Sequence, residues 1–266
     1  MTKLIWMSDL HFASDGDVLG HDPRARLRAA IAFINQHHAD AAACVISGDL
    51  VNRGSARDYA ALAELLATLD LPVLPLVGNH DDRALLRTDL PLPPDAMPDF
   101  VQYRVDVPWG RLLCLDTLLP GQDAGAFCNA RADWLQAQIA DAGDRPLYLF
   151  LHHPPMPLGL PMQDTDRMQD GDAFLDLIAG QPAVRHLFIG HVHRPITGTV
   201  RGIPYATMRS VLYQAPAPRP AWDWDSFAPA AEAPDLGVLT LTDGDVTLQY
   251  TQICPASVGT GFALGQ

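Results

Sequence analysis

Five apolar runs in this chain each end on residues that bind metals or move protons. Leu4-Ile-Trp-Met-Ser precedes Asp9 and His11, and Cys44-Val-Ile-Ser-Gly precedes Asp49. Val73-Leu-Pro-Leu-Val-Gly precedes Asn79 and His80, Leu147-Tyr-Leu-Phe-Leu precedes His152, and His186-Leu-Phe-Ile-Gly precedes His191 and His193. A lone Asp-x-His or His-x-His is as readily a solvated turn as a ligand pair. The joint pattern weighs differently, because open α/β sheets bind ligands at the carboxyl ends of their strands. Asp9, His11, Asp49, Asn79, His152, His191 and His193 are therefore expected to form one metal site. Carboxylate, amide and imidazole donors without thiolate suit Mn, Fe, Co or Zn and argue against a closed structural zinc. A carboxylate bridging two ions holds them about 3.5–4 Å apart, the spacing of two-metal hydrolases.

The elements that must present these ends follow from hydrophobic periodicity. A buried strand is expected over 3–8. Pro23 suits a first helical turn and opens a helix to about His37, with Leu27, Ala30, Ile31 and Ile34 on one face. Strand 43–47, helix 56–69 behind Ser55 as N-cap, and strand 73–77 complete a β-α-β-α-β run, which favours a largely parallel sheet. The proline-rich stretch 89–99 reads as a loop, and 101–107 with 111–116 as a hairpin around Pro108-Trp-Gly. Helix 130–142, strand 147–151, helix 173–179 and strand 186–190 follow. The remainder reads as β over 196–201, 203–208, 236–242 and 245–253. Residues 154–172 are expected to cover the site mouth. Ala215–Pro234, with Trp222, Trp224 and Phe227, reads as a lid, an edge covering or an oligomer contact. No repeat or boundary interrupts the pattern, so 1–266 is expected to be a single domain.

A hydrophobic share of 48% over 266 residues supports one sizeable core. The apolar runs fall well short of the ~20 residues that a membrane helix needs. A formal charge of −13 disfavours a surface that tracks long nucleic acid. It still allows a small phosphate-bearing substrate, because bound cations make a local positive site. Cys44, Cys114, Cys128 and Cys254 lack C-x-x-C spacing and read as free thiols of a reducing compartment. A cleavable signal peptide would remove the strand before Asp9, so a cytoplasmic location is expected.

Asp9-Leu-His11, Gly48-Asp49-(x)4-Gly54, Gly78-Asn79-His80-Asp81, His152 and Gly190-His191-Val-His193 resemble, in order, the five motifs of the calcineurin-like metallophosphoesterases. The resemblance spans roughly residues 3–210. Asn52-Arg53, Gly78-Asn-His-Asp-Asp82 and His152-His-Pro-Pro-Met-Pro-Leu158 are most similar to class III cyclic-nucleotide phosphodiesterases and the related glycerophosphodiesterases. The resemblance implies a four-layer α/β/β/α sandwich with mixed sheets. It implies two divalent or trivalent ions, the first on Asp9, His11, Asp49 and His193, the second on the bridging Asp49 with Asn79, His152 and His191. His80 matches the family's non-ligand catalytic histidine. It would bond a phosphoryl oxygen or protonate the departing alkoxide after in-line attack by a hydroxide held between the ions. The implied reaction is hydrolysis of small phosphodiesters, cyclic nucleotides or glycerophosphodiesters. A phosphomonoesterase or protein phosphatase of the same superfamily is the alternative, with a nuclease or a non-catalytic scaffold behind it.

The chain departs from the glycerophosphodiesterase pattern at Val211-Leu-Tyr213-Gln214, where that branch carries a His before the Gln. Tyr213 either contacts substrate in its place or is an ordinary strand aromatic. His153 is expected to point to the sheet's other side by strand alternation. His37 and His38 are expected to end a helix, and His186 to open a strand. His21 is a weaker candidate for the pocket, and Asn52 and Arg53 read first as turn residues. Pro154–Met162, apolar and stiffened by proline, is expected to wall the pocket and favour an organic group beyond the phosphate.

Overall fold

The runs that carry the candidate donors lie in two sheets that face one another. The computed structural model describes residues 1–219 and 223–253, so Trp222 and Cys254 lie outside the described residues. β1 (Thr2–Met7), β2 (Cys44–Ile46) and β3 (Val73–Pro75) run parallel, linked by α1 (Pro23–His37) and α2 (Ala56–Leu66). After α3 (Arg83–Asp89) the chain enters the second sheet through the hairpin β4 (Tyr103–Val107) and β5 (Gly110–Cys114). α4 (Asn129–Ala142), β6 (Leu147–Leu151), α5 (Gly171–Ile178), β7 (Val184–Ile189), β8 (Thr197–Val200) and β9 (Ile203–Thr207) follow. That sheet has the order β4-β5-β6-β7-β9-β8, parallel from β5 to β9 with an antiparallel strand at each edge. β10 (Asp235–Leu241) and β11 (Val246–Gln252) return to the first sheet and complete the order β11-β10-β1-β2-β3.

Strand alternation sorts the second sheet's residues between two cores. Leu112, Cys114, Tyr148, Phe150 and Phe188 join Trp6 and the buried faces of α1 and α2. Leu113, Leu149, Leu151, Leu187 and Ile189 pack instead with Leu135 of α4 and Phe174, Leu175 and Ile178 of α5. The layers are therefore helix, sheet, sheet, helix. The Trp6 ring meets Phe188 at 5.2 Å and Phe150 at 6.3 Å, both edge-on. Its Nε1 donates to Ser47 Oγ at 2.8 Å, one residue before the Gly48-Asp49 turn. Among the described residues no helix is long and apolar enough to cross a membrane.

Several boundaries differ from those periodicity predicts. α3 has no counterpart in the sequence reading, because it is seven residues long and buries only Leu86. Its start is nonetheless capped, with Asp82 accepting from the Ala84 and Leu85 amides. The first strand of the hairpin starts at Tyr103, since Val101 N is taken by buried Asp116 at 2.8 Å. β7 begins at Val184, which puts His186 inside the strand with its ring stacked 4.3 Å from Phe188.

Trp6 fills the space between the sheets, so Trp6→Ala should destabilise the fold by about 3–5 kcal/mol. Urea unfolding checks this, with a lower midpoint expected at an unchanged slope.

Candidate metal centre

The strand ends turn sharply where donors are needed. Asp9, His11, Asp49, His191 and His193 have φ of 55°, 40°, 49°, 70° and 50°. This left-handed region costs a residue with a Cβ about 1–2 kcal/mol. Five of the seven non-glycine residues found there, among those described, are these candidate donors. Inter-loop bonds hold the turns, Asp9 N donating to Gly48 O at 3.0 Å and His11 N to Asp49 O at 2.9 Å. Two glycines provide clearance. A Cβ on Gly48 would sit 2.4 Å from His152 Nδ1, and one on Gly78 would sit 2.3 Å from Asp49 Oδ1.

The structure brings all seven candidate donors together, in two groups that share Asp49. His11 Nε2 lies 3.6 Å from Asp49 Oδ2 and 3.1 Å from His193 Nε2, which lies 3.3 Å from Asp9 Oδ1. His152 Nε2 lies 3.4 Å from Asp49 Oδ2 and 3.3 Å from Asn79 Oδ1, which lies 3.2 Å from His191 Nδ1. Hydrogen bonds aim the rings from behind. His152 Nδ1 donates to Ser47 O at 2.8 Å and His193 Nδ1 to Tyr213 O at 2.9 Å, which leaves each Nε2 lone pair facing inward.

The arrangement fits cations. Two imidazole nitrogens 3.1 Å apart aim at one point beside buried carboxylates, and Asp9 Oδ2 has no partner among the described residues. Burial pushes His11 and His191 down to about 3, so both stay neutral with lone pairs available. Burial also opposes charge on His152, but the Asp49 and Asp9 carboxylates outweigh it and push the ring up to about 9. The same field that holds a proton there favours a metal ion, which displaces it. This cluster is able to bind metal ions.

His80 stands beside the shared carboxylate. Its backbone N donates to Asp49 Oδ1 at 3.0 Å, and its ring Nδ1 lies 2.8 Å from the Asn52 carbonyl. Asn52 thus serves through its backbone, holding Nδ1 as the donor. Burial disfavours the charged ring, yet Asp49 and the Asn52 carbonyl raise it above its ordinary range. Above these groups opens a cavity of about 280 Å³. His11, Asp49, Asn79, His80, His191, His193 and Tyr213 line it, the Tyr213 ring 5.1 Å from His11 and 4.5 Å from His193.

The family described as calcineurin-like phosphoesterase matches residues 2–195. The chain belongs to that family. A Rhodopseudomonas palustris protein named "Probable cyclic nucleotide phosphodiesterase" is 39% identical over 80% of this chain and 79% of its own length. The glycerophosphodiester phosphodiesterase GpdQ of Enterobacter lignolyticus is 34% identical over 80% of this chain and 78% of its own. Among solved structures, a dimetal phosphatase from Danio rerio superposes with a TM-score of 0.70 at 15% identity, over 95% of this chain and 96% of that one. At that identity the likeness concerns the fold alone.

Against this phosphoesterase frame, several residues stand elsewhere than the sequence predicts. His153 does not point to the other side of the sheet. It is buried with its ring 4.8 Å from His152 and 4.9 Å from His191, and its Nδ1 is 2.8 Å from Thr117 Oγ1. β6 ends at Leu151, so alternation no longer governs where His153 points. His21 lines a separate depression with Asp22 and Arg26. The apolar part of 154–172 does not wall the cavity. Met156 and Met168 are buried in the core beneath α5, while Gln163 and Asp166 line the cavity from this segment. Trp224 and Phe227, from the aromatic segment that the sequence offers as a lid, an edge covering or an oligomer contact, also line it, as does Asp123, which no motif singles out in the sequence.

Asp81 is a further residue whose task the sequence does not reveal. Its buried carboxylate accepts from Gly78 N at 2.8 Å, Leu50 N at 3.1 Å and Tyr59 Oη at 2.8 Å. It therefore ties the Asp49 turn to the Asn79 turn. Asp81→Ala would strand these donors at ~1–3 kcal/mol each, so a loss of about 3 kcal/mol is expected. Chemical denaturation should show that loss, with Asp81→Asn recovering part of it through the remaining oxygen.

Proposed function

We propose that the protein hydrolyses small phosphodiesters at a dinuclear metal centre. The observation that carries this reading is Asp49 Oδ2, shared between two donor groups beneath a cavity that His80 also lines. Asp9, His11, Asp49 and His193 would hold one ion, and Asp49, Asn79, His152 and His191 the other. Bound ions supply Lewis acidity toward the phosphoryl oxygens and lower the pKa of water. His80 has Nδ1 committed to Asn52 and turns Nε2 to the substrate, where it bonds a phosphoryl oxygen or gives its proton to the departing alkoxide. Tyr213, beside His11 and His193, contacts the substrate from the cavity wall.

The named activities of the relatives, on cyclic nucleotides and on glycerophosphodiesters, support a small diester as substrate. A net charge of −13 supports a small substrate over long nucleic acid. We take the described part of this segment, Ala215 with Trp224 and Phe227, as a lid over the site rather than a subunit contact, because these residues line the cavity. A cytoplasmic location is supported by the free thiols Cys44, Cys114 and Cys128.

The deciding experiment compares kcat/KM for bis-p-nitrophenyl phosphate, a cyclic nucleotide, a glycerophosphodiester, p-nitrophenyl phosphate and single-stranded DNA under one metal condition. A diester is expected to rank first, and a monoester or the DNA in that place would overturn the reading. Elemental analysis of the purified protein should find two ions per chain drawn from Mn, Fe, Zn or Co, with Asp49→Ala losing both metal and turnover. His80→Ala should keep its metal and lose turnover by roughly two to four orders of magnitude. That loss should shrink for a p-nitrophenolate leaving group, which needs little protonation.

A further inference from the structure

One buried histidine has no part in the chemistry above. His153 follows β6, directly after His152, and is fully enclosed. The chain builds a slot for its ring. A Cβ on Gly125 would sit 2.5 Å from His153 Cγ, so a glycine is what lets that loop close on the ring. Thr117, after β5 and itself buried, fixes the ring's direction. Its Oγ1 accepts from His153 N at 3.3 Å and stands 2.8 Å from His153 Nδ1. A hydroxyl oxygen has two lone pairs, so it can take both N–H groups of this residue. His153 then carries its proton on Nδ1 and a free lone pair on Nε2.

His153 Nε2 has no partner among the described residues, and neither does His191 Nε2. The two rings lie 4.9 Å apart, and His152, His153 and His191 each bring a nitrogen within 4.8 Å of the others. His191 turns its other nitrogen, Nδ1, to Asn79 Oδ1 at 3.2 Å, inside the second donor group. If Nδ1 binds an ion, the ring's proton is on Nε2. A ligating imidazole almost always donates that N–H to an acceptor, which fixes its tautomer and direction. His152 and His193 have carbonyl oxygens for this purpose, Ser47 O and Tyr213 O. His191 has none among the described residues, and the ring beside it with an unused nitrogen is His153. With its proton on Nε2, His153 would set one N–H against another.

We propose that His153 is a positioning residue for the second ion, its Nε2 accepting the Nε2–H of His191 when His191 Nδ1 is a ligand. This role rests on the two-ion reading above and deepens it. Thr117, His153 and His191 follow β5, β6 and β7, three neighbouring parallel strands. One sheet thus supplies the ligand, its acceptor and the anchor of that acceptor. The acceptor makes His191 a more basic ligand and holds its ring toward Asn79, which strengthens the second ion. The ring contacts of His153 are with His152 and His191, both donors of that ion, so the first ion should be indifferent to it.

The test uses the full chain loaded with zinc and reads the ions rather than turnover. Long-range proton–nitrogen correlation of the wild type, which needs no variant, should place the His153 proton on Nδ1. Equilibration against a graded zinc chelator, followed by elemental analysis, gives the affinity of each ion, and Asn79→Ala marks the step that belongs to the second. His153→Asn keeps an amide where Nδ1 stood but offers no acceptor at the Nε2 position. It should weaken the second ion roughly 10- to 100-fold and leave the first unchanged. His153→Gln, whose amide reaches the Nε2 position, should restore most of the loss. A loss shared equally by both ions, or one that His153→Gln does not restore, would mark a packing role and overturn the proposal. So would a proton on His153 Nε2, or a zinc-bound His153 Nε2, which would make the ring a ligand. Wild-type protein that holds a single zinc would sink the two-ion reading and this role with it, whereas the other results leave that reading standing.

Discussion

The structure around the site depends on one buried carboxylate and what surrounds it. Asp49 is 2% exposed, its Oδ1 taken by the His80 amide and its Oδ2 flanked by His11 and His152. A charge so far from water is costly unless opposite charge or donors reach it. His80 follows β3 and His152 follows β6, so the compensation comes from both sheets. The sheets cannot shift against one another without undoing it, and Trp6 packed on Phe150 and Phe188 locks them from below.

Local strain is the cost of this convergence. Five donors sit in left-handed backbone, a conformation that survives only where the surroundings over-determine it. Here the surroundings are specific. The β1 and β2 ends exchange backbone bonds, Ser210 Oγ donates to Asp9 O at 2.7 Å, and Asp81 ties the β2 and β3 turns together. The candidate donors are thus held in place by the protein alone, which would reduce the reorganisation that ion binding requires.

The floor and the rim of the cavity have different origins. The floor is built from strand ends, whose positions the hydrogen-bonded sheets fix. The rim comes from connecting segments, Asp123 before α4, Gln163 and Asp166 before α5, and Trp224 and Phe227 after β9. Loops vary without disturbing the core, so the residues that select an organic arm belong there. Chemistry and selectivity are placed on parts of the fold with different mechanical constraints.

That the seven candidate donors would meet was legible in the sequence because each follows an apolar strand run, and burial dictates both the run and where it ends. The layer order was implied by the family resemblance alone, and in the structure it follows from alternate residues of β5, β6 and β7 dividing between two cores. The direction of His153 is not legible because periodicity ends with β6, and past that point only packing against Thr117 and Gly125 sets the ring. The place of the apolar stretch after His152 is not legible for a related reason. Hydrophobicity signals that Met156 will be buried, but not whether under a helix or against a ligand. α3 escaped because a helix with one buried residue has almost no period to read. By itself the sequence determined which residues could bind metal and which strands would carry them, both consequences of local pattern. Only the tertiary structure decided that Asp49 stands between two imidazoles, that Asp81 clamps two turns, and which loop residues line the cavity, because those are distances between segments far apart in the chain.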